Sequence, residues 1–183
     1  TRLPIAYGSI HTIAGGGGEA WQEGANATDI SFSDARYATA DELAEIIAGQ
    51  WTGDNTNRYV VLTGGEPLLQ VDPPFIDALH ARGFAIGIET NGTIEPPAGM
   101  DWVCVSPKAD AELVVTTGDE LKLVYRQVGG EPERYEHLAF SHFFLQPMDG
   151  PDRQRHTHAA IEYCLAHPRW RLSVQTHKYL GIP

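Results

Sequence analysis

From residue 39 onward the chain alternates between two rhythms of apolar and polar positions. RYVVL (58–62), FAIGIE (84–89), WVCVS (102–106), ELKLVY (120–125), HFFLQ (142–146) and WRLSVQ (170–175) are short apolar runs with the length of strands, and the first is apolar enough for a strand buried on both faces. Between them lie segments of helical period. DELAEIIAG follows Thr39, and Thr39 with Glu42 forms a capping box. Asp72 before Pro73 is an N-cap with proline in the first turn, and PFIDALHARG runs to a glycine stop at Gly83. PERYEHL (132–138) predicts a short helix, and RQRHTHAAIEYCLAHP a longer one that Pro168 stops.

Strands that alternate with helices imply right-handed βαβ crossovers and a mainly parallel sheet. The expected fold class is α/β, a partial (βα) barrel or open sheet of about six strands. At 183 residues the chain is read as a single domain, with a βα core over 39–183 and an irregular segment over 1–38. That segment holds GGGG (15–18), but no Lys-Ser/Thr follows, so it is a flexible loop and not a phosphate-binding P-loop.

Composition narrows the partners. Hydrophobic residues make up 42% and charged residues 20% of the chain, as in ordinary globular proteins. No apolar run reaches the length of a membrane span and no basic-then-apolar leader is seen, so a soluble, cytoplasmic protein without membrane contact is expected. A net charge of −11 is poorly suited to a phosphate backbone, which excludes nucleic acid and favours a small-molecule substrate. Cys104 and Cys164 both sit in apolar stretches and read as buried thiols. The N-x-T sequons at Asn26 and Asn91 are read as chance.

In a parallel α/β sheet, ligands bind where strands end and loops begin. Here those positions are compact and polar: Thr63-Gly64-Gly65-Glu66-Pro67, Glu89-Thr90-Asn91-Gly92, Ser106-Pro107-Lys108, Gln146-Pro147-Met148-Asp149-Gly150 and Gln175-Thr176-His177-Lys178-Tyr179. Together they describe a pocket rich in donors and acceptors, fit for a nucleoside or a pterin-like ligand. Other polar residues have plainer readings. Lys108 and Lys122 can be solvated lysines, and His156 and His158, two apart on a helix, are surface residues and a poor metal pair. Trp102 and Trp170 are read as core, and Asp149 as a cap for the following helix.

TGGEP after a first strand is similar to the GGE motif with which radical S-adenosylmethionine (SAM) proteins bind the methionyl amine of SAM. The order TGGEP, ETNG, VSPK, QPMDG and RLSVQTHKYLGIP resembles one such family in particular, the 7-carboxy-7-deazaguanine synthases of queuosine biosynthesis, over residues 39–183. The resemblance implies a lyase that converts 6-carboxytetrahydropterin to 7-carboxy-7-deazaguanine with SAM, a 4Fe-4S iron–sulfur cluster and Mg2+, as a homodimer. Carried over by motif, Gly64, Gly65 and Glu66 meet the methionyl end of SAM. Glu89, Asn91, Ser106 and Lys108 lie around its ribose and carboxylate, and Gln146 lies near the adenine. Thr90, His177 and the carboxylate of Pro183 fall to the pterin substrate.

The chain departs from this pattern in one place. The family carries three cysteines after its first strand, and this chain has no cysteine before residue 104. Gln22 to Ala27 resembles the segment before the cysteine loop, and Thr28-Asp29 with Ile30-Ser31-Phe32 the segment after it, as if the loop had been cut out between Ala27 and Thr28. On that alignment Glu23 is the remnant of the substrate-binding QGEG element and Thr28 the Mg2+ ligand; on another, the element falls at Ala14 to Gly17 and no glutamate survives. A loop missing from the chain as written, a homologue that lost its cluster, and a shared fold with a different ligand all accommodate this. Two functions follow: a radical SAM enzyme, or a cluster-free module that binds SAM or a pterin without reacting them.

Overall fold

The computed structural model describes residues 2–4, 9–12, 28–31, 37–53 and 55–180, with side-chain detail for 39–53, 55–176, 178 and 179. The chain divides into two compact units, Thr1–Glu89 with Pro96–Trp102, and Thr90–Glu95 with Val103–Pro183.

In the first unit, β1 (Arg2–Pro4) pairs antiparallel with β4 (Tyr37–Thr39). A second set has the order β6-β5-β2-β3, built from β2 (Ser9–Thr12), β3 (Thr28–Ser31), β5 (Tyr59–Thr63) and β6 (Ala85–Thr90). β2 runs antiparallel to β3 and β5, whereas β5 and β6 are parallel, with Tyr59 opposite Ala85 and Leu62 opposite Ile88. The irregular reading of residues 1–38 is therefore corrected. Four short strands lie in or at the edge of that segment. At three or four residues each, they are too short to leave a period-two signal.

Helix α1 (Ala40–Gln50) begins with the expected capping box. The Thr39 Oγ1 accepts from the Glu42 N–H at 3.2 Å, and the Glu42 carboxylate accepts from the Thr39 N–H at 2.8 Å. Helix α2 (Pro73–Ala81) begins at Asp72, whose Oδ1 accepts from the Phe75 N–H at 3.0 Å. Its C-terminal Arg82 reaches back to Asp41 and Glu45 of α1 at 2.8 and 3.2 Å, and these carboxylates hold the guanidinium pKa above its ordinary value. Leu43, Ile47, Val60, Leu62, Phe75, Ile76, Leu79, Phe84, Ile86 and Ile88 are among the buried apolar residues of this unit. On β6, Gly87 has a steric reason: a Cβ there would lie 2.2 Å from the Tyr59 hydroxyl, which crosses over it from β5 and would have to shift.

The second unit has strand order β10-β9-β8-β7, all parallel: β7 (Trp102–Val105), β8 (Thr117–Tyr125), β9 (Ala139–Pro147) and β10 (Trp170–Leu172). Helix α3 (Arg153–Ala166) precedes β10, and a short α4 (Thr176–Leu180) follows it. Val105, Leu121, Leu123, Tyr125, Phe143, Leu145 and Trp170 form one buried cluster with Ala160 of α3. The strand residues named here belong to the odd set of β7, β8 and β9, or stand opposite it in register on β10, and so share one sheet face.

Each unit has its own parallel strands, β5 with β6 in the first and β7 to β10 in the second, which gives the α/β architecture the alternation implied. Boundaries differ locally. PERYEHL makes only a 3-10 turn over Pro132–Arg134, because Glu131 provides no side-chain cap and so short a segment cannot offset the cost of nucleating a helix. β8 and β9 each start three residues earlier than their apolar runs, because Thr117, Gly118, Ala139 and Phe140 already pair. The strand read over 170–175 stops at Leu172, and the tail beyond it turns into α4.

Candidate functional site at the strand ends

In the first unit, β5 ends at Thr63 and the chain turns on two successive left-handed residues, Gly64 (φ 86°) and Gly65 (φ 52°). Glycine adopts this conformation without a Cβ penalty, and the bare backbone leaves room for a ligand to approach. Glu66 follows with its carboxylate fixed: Oε1 accepts from the Leu68 N–H at 3.0 Å and so caps the 3-10 turn Pro67–Leu69. At the end of β6, half-buried Glu89 has its Oε2 3.5 Å from the Thr63 Oγ1, which is long for a hydroxyl–carboxylate bond.

In the second unit the ETNG segment folds on itself. Thr90 is buried and its Oγ1 accepts from the Gly92 N–H at 3.1 Å; the Asn91 Oδ1 accepts from the Thr93 N–H at 2.9 Å. Gly92 has φ 78°, and a Cβ there would sit 2.6 Å from Leu113 and 2.7 Å from Val105. The Ser106 N–H donates to the Thr90 carbonyl at 2.8 Å, which ties this loop to the end of β7. The structure thus brings Thr90, Asn91 and Ser106 together. Ser106 and Gln146 are half-buried at the ends of β7 and β9, and Lys108 is exposed.

Asp149 corrects its reading as a helix cap. Asp152 stands at the α3 N-cap without a side-chain bond, and Asp149 instead pairs with Lys178 of the tail at 2.5 Å, with Arg153 at 3.9 Å. The Lys178 ammonium, then the Gly150 N–H, hold the Asp149 carboxyl below its ordinary pKa. Arg153 also lies over the Tyr179 ring, 5.0 Å from its centroid. QPMDG and THKY are therefore joined by charge, a link that sequence spacing does not signal. His156 is half-buried, with Nδ1 3.1 Å from the Met148 carbonyl, so it is more than a surface residue. Lys122 is likewise half-buried in mid-strand, not solvated. Trp170 is core, and Trp102 is half-buried.

Glu23 and Pro183 lie outside the described residues. Thr28 opens β3 opposite Thr12, and His177 lies in α4; the side chains of both are outside the described set.

A 4Fe-4S cluster requires sulfur ligands. The chain has two cysteines. Cys104 is buried in β7, and Cys164 is a half-buried free thiol on α3 whose pKa is raised by desolvation, the opposite of a metal-ready thiolate. Among the described residues no three His, Cys, Asp or Glu side chains gather where they could hold a metal. The residues of this chain do not fit the cluster.

The chain is 68% identical over 147 residues to the 7-carboxy-7-deazaguanine synthase of Bradyrhizobium diazoefficiens, a match covering 80% of this chain and 70% of that protein. The chain belongs to the 7-carboxy-7-deazaguanine synthase family. The family's protein from Bacteroides thetaiotaomicron is 38% identical over 174 residues, which cover 90% of this chain and 92% of that one. Among solved structures, QueE from Escherichia coli matches with a TM-score of 0.58 at 32% identity over 76% of this chain. The match spans 64% of the length of that QueE chain. No family model matches. The fold is of the radical SAM type, as the resemblance implied. Among the described residues no helix is long and apolar enough to cross a membrane.

Proposed function

We propose that this protein works in the formation of 7-carboxy-7-deazaguanine, with SAM and 6-carboxytetrahydropterin as its small-molecule ligands. Family membership at 68% identity supports the reading. The observation that carries it to particular atoms is the double left-handed turn Gly64-Gly65 ahead of a pinned Glu66. That turn offers bare backbone and one fixed carboxylate, the complement of an amino-acid ammonium group. Glu89, Asn91, Ser106, Lys108 and Gln146 are assigned to the rest of SAM, and Glu23, Thr90, His177 and Pro183 to the substrate. Thr28 is assigned to Mg2+. A cytoplasmic homodimer is part of the same reading.

A second reading rests on the cysteine count. A chain with two cysteines in unsuitable places keeps the binding frame and lacks the means to reduce and cleave SAM. Anaerobic reconstitution with iron and sulfide, then SAM and 6-carboxytetrahydropterin, separates the two. Iron uptake with 7-carboxy-7-deazaguanine as product supports the enzyme. SAM binding by titration calorimetry, with neither iron nor product, supports the cluster-free binder. Absence of SAM binding overturns both.

A further inference from the structure

Past β10 the chain leaves the sheet. Ser173 N–H still donates to the Leu145 carbonyl of β9 at 2.9 Å. Further on, the Thr176 N–H donates to the Val174 carbonyl and the Lys178 N–H to that of Gln175, bonds the segment makes with itself. α4 has five residues, and so short a helix does not persist on its own hydrogen bonds. Two side-chain contacts fasten it to the junction of β9 and α3. The Lys178 ammonium meets the Asp149 carboxylate at 2.5 Å, and the Tyr179 ring lies against the Arg153 guanidinium, 5.0 Å from its centroid. Asp149 and Arg153 are themselves paired at 3.9 Å. Two adjacent residues of α4 thus grip two linked residues of the body, which fixes the rotation of α4 as well as its place.

The body side of this contact is braced. The Met148 N–H donates to the Tyr125 carbonyl of β8, and the Met148 carbonyl lies 3.1 Å from Nδ1 of His156. The Arg153 N–H donates to the Gly150 carbonyl at 3.1 Å. Asp149 therefore stands on a turn held from both sides. The Lys178 and Asp149 side chains keep 35% and 45% of their exposure, and pairs that open to water add little to folding stability. What such a contact can set is the position of the tail. His177, assigned above to the substrate, is the residue before Lys178, and Gln146, assigned to SAM, opens the segment that carries Asp149.

We propose that Lys178 on Asp149, with Tyr179 on Arg153, is a clasp that holds the tail in place for the pterin, so that Asp149 and Lys178 are positioning residues for substrate binding. The proposal rests on the assignment of His177 to the substrate and names what keeps that residue in place. A tail ordered in advance spares the ligand the cost of ordering it. Opening the clasp puts that cost on the pterin and leaves SAM, whose assigned residues lie on the braced strand ends, with its affinity.

Hydrogen exchange of the tail amides, read beside titration calorimetry of the whole chain with 6-carboxypterin and SAM, tests it. Lys178→Asp should speed exchange across α4 and weaken 6-carboxypterin about tenfold, the effect of a tail in place about one-tenth of the time, while SAM stays within about twofold of wild type. Asp149→Lys should do the same. Joining Asp149→Lys to Lys178→Asp restores opposite charges, and should slow the exchange again and bring 6-carboxypterin back within about threefold of wild type. Single variants that bind 6-carboxypterin as wild type does overturn the clasp and leave the proposed function standing. So does a loss that the double exchange fails to restore, or a loss without faster tail exchange, because Lys178 then acts on the ligand or the fold directly. A wild-type chain that binds SAM but no 6-carboxypterin overturns the substrate assignment, and the clasp with it.

Discussion

The two faces of the β7–β10 sheet come from the same strands, yet alternate residues end in opposite surroundings. Leu121, Leu123, Phe143, Leu145 and Trp170 pack with Ala160 of α3 at 0–2% exposure. Their immediate neighbours in sequence, Glu120, Lys122, His142 and Phe144, share the strands but not the packing. One face is filled for stability, where each lost atom leaves a void. The other keeps polar and aromatic groups that are half-buried, with Glu120 alone buried, at 8% exposure. Burial alone therefore does not mark the core of this unit; burial together with membership of the apolar cluster does.

The sharpest way to break that contrast is to truncate one aromatic on each face. Trp170→Ala should cost about 3–5 kcal/mol in urea unfolding, because it empties the centre of the packed face. Phe144→Ala should cost less than half of that, and equal losses would show that both faces are packed alike. Gly92→Ala should cost about 1–3 kcal/mol, since φ is 78° and the new Cβ meets Leu113 and Val105; thermal unfolding of the variant reads it. The packed face also has an alkaline limit. Burial, then the bond from the Tyr163 hydroxyl to Glu133 at 2.9 Å, raise the Tyr163 pKa above its ordinary 10.0. The folded state holds that proton more tightly, so its contribution is complete below pH 10.0 and is lost as pH climbs toward the raised value. Tyr163→Phe should flatten this alkaline decline in a melting-temperature series. The smallest effect concerns Asp149 and Lys178. The Asp149 pKa is lowered from 3.8, so its pairing contributes above that pH and fades as pH falls through the lowered value. Asp149→Asn should separate from wild type by a constant melting difference above pH 3.8 that closes below it.

Much of this was legible in the residues. Thr39 with Glu42 and Asp72 with Pro73 announced two helices correctly, since caps are local hydrogen-bond chemistry. The apolar runs at 58–62, 84–89 and 102–106 located three strands within a residue. TGGEP pointed to a turn that does use two left-handed glycines. What the sequence hid was relational. The Glu120–His142 and Lys122–Phe144 rows exist only through the register of β8 against β9, so Lys122 read alone resembled a solvated lysine. Asp149 looked like a cap because it stands near a helix start, and only the folded tail supplies Lys178. The short strands β1 to β4 gave no periodic signal for lack of length.

Tyr59 and Gly87 carry a consequence for descent. With the hydroxyl lying where a Cβ would stand, replacement of Gly87 requires the Tyr59 ring to shift, and is easiest after Tyr59 has shortened. The two positions are thus coupled in time: a lineage meets least strain by trading the tyrosine first and the glycine second, and regaining a tyrosine at 59 afterwards would meet the new side chain.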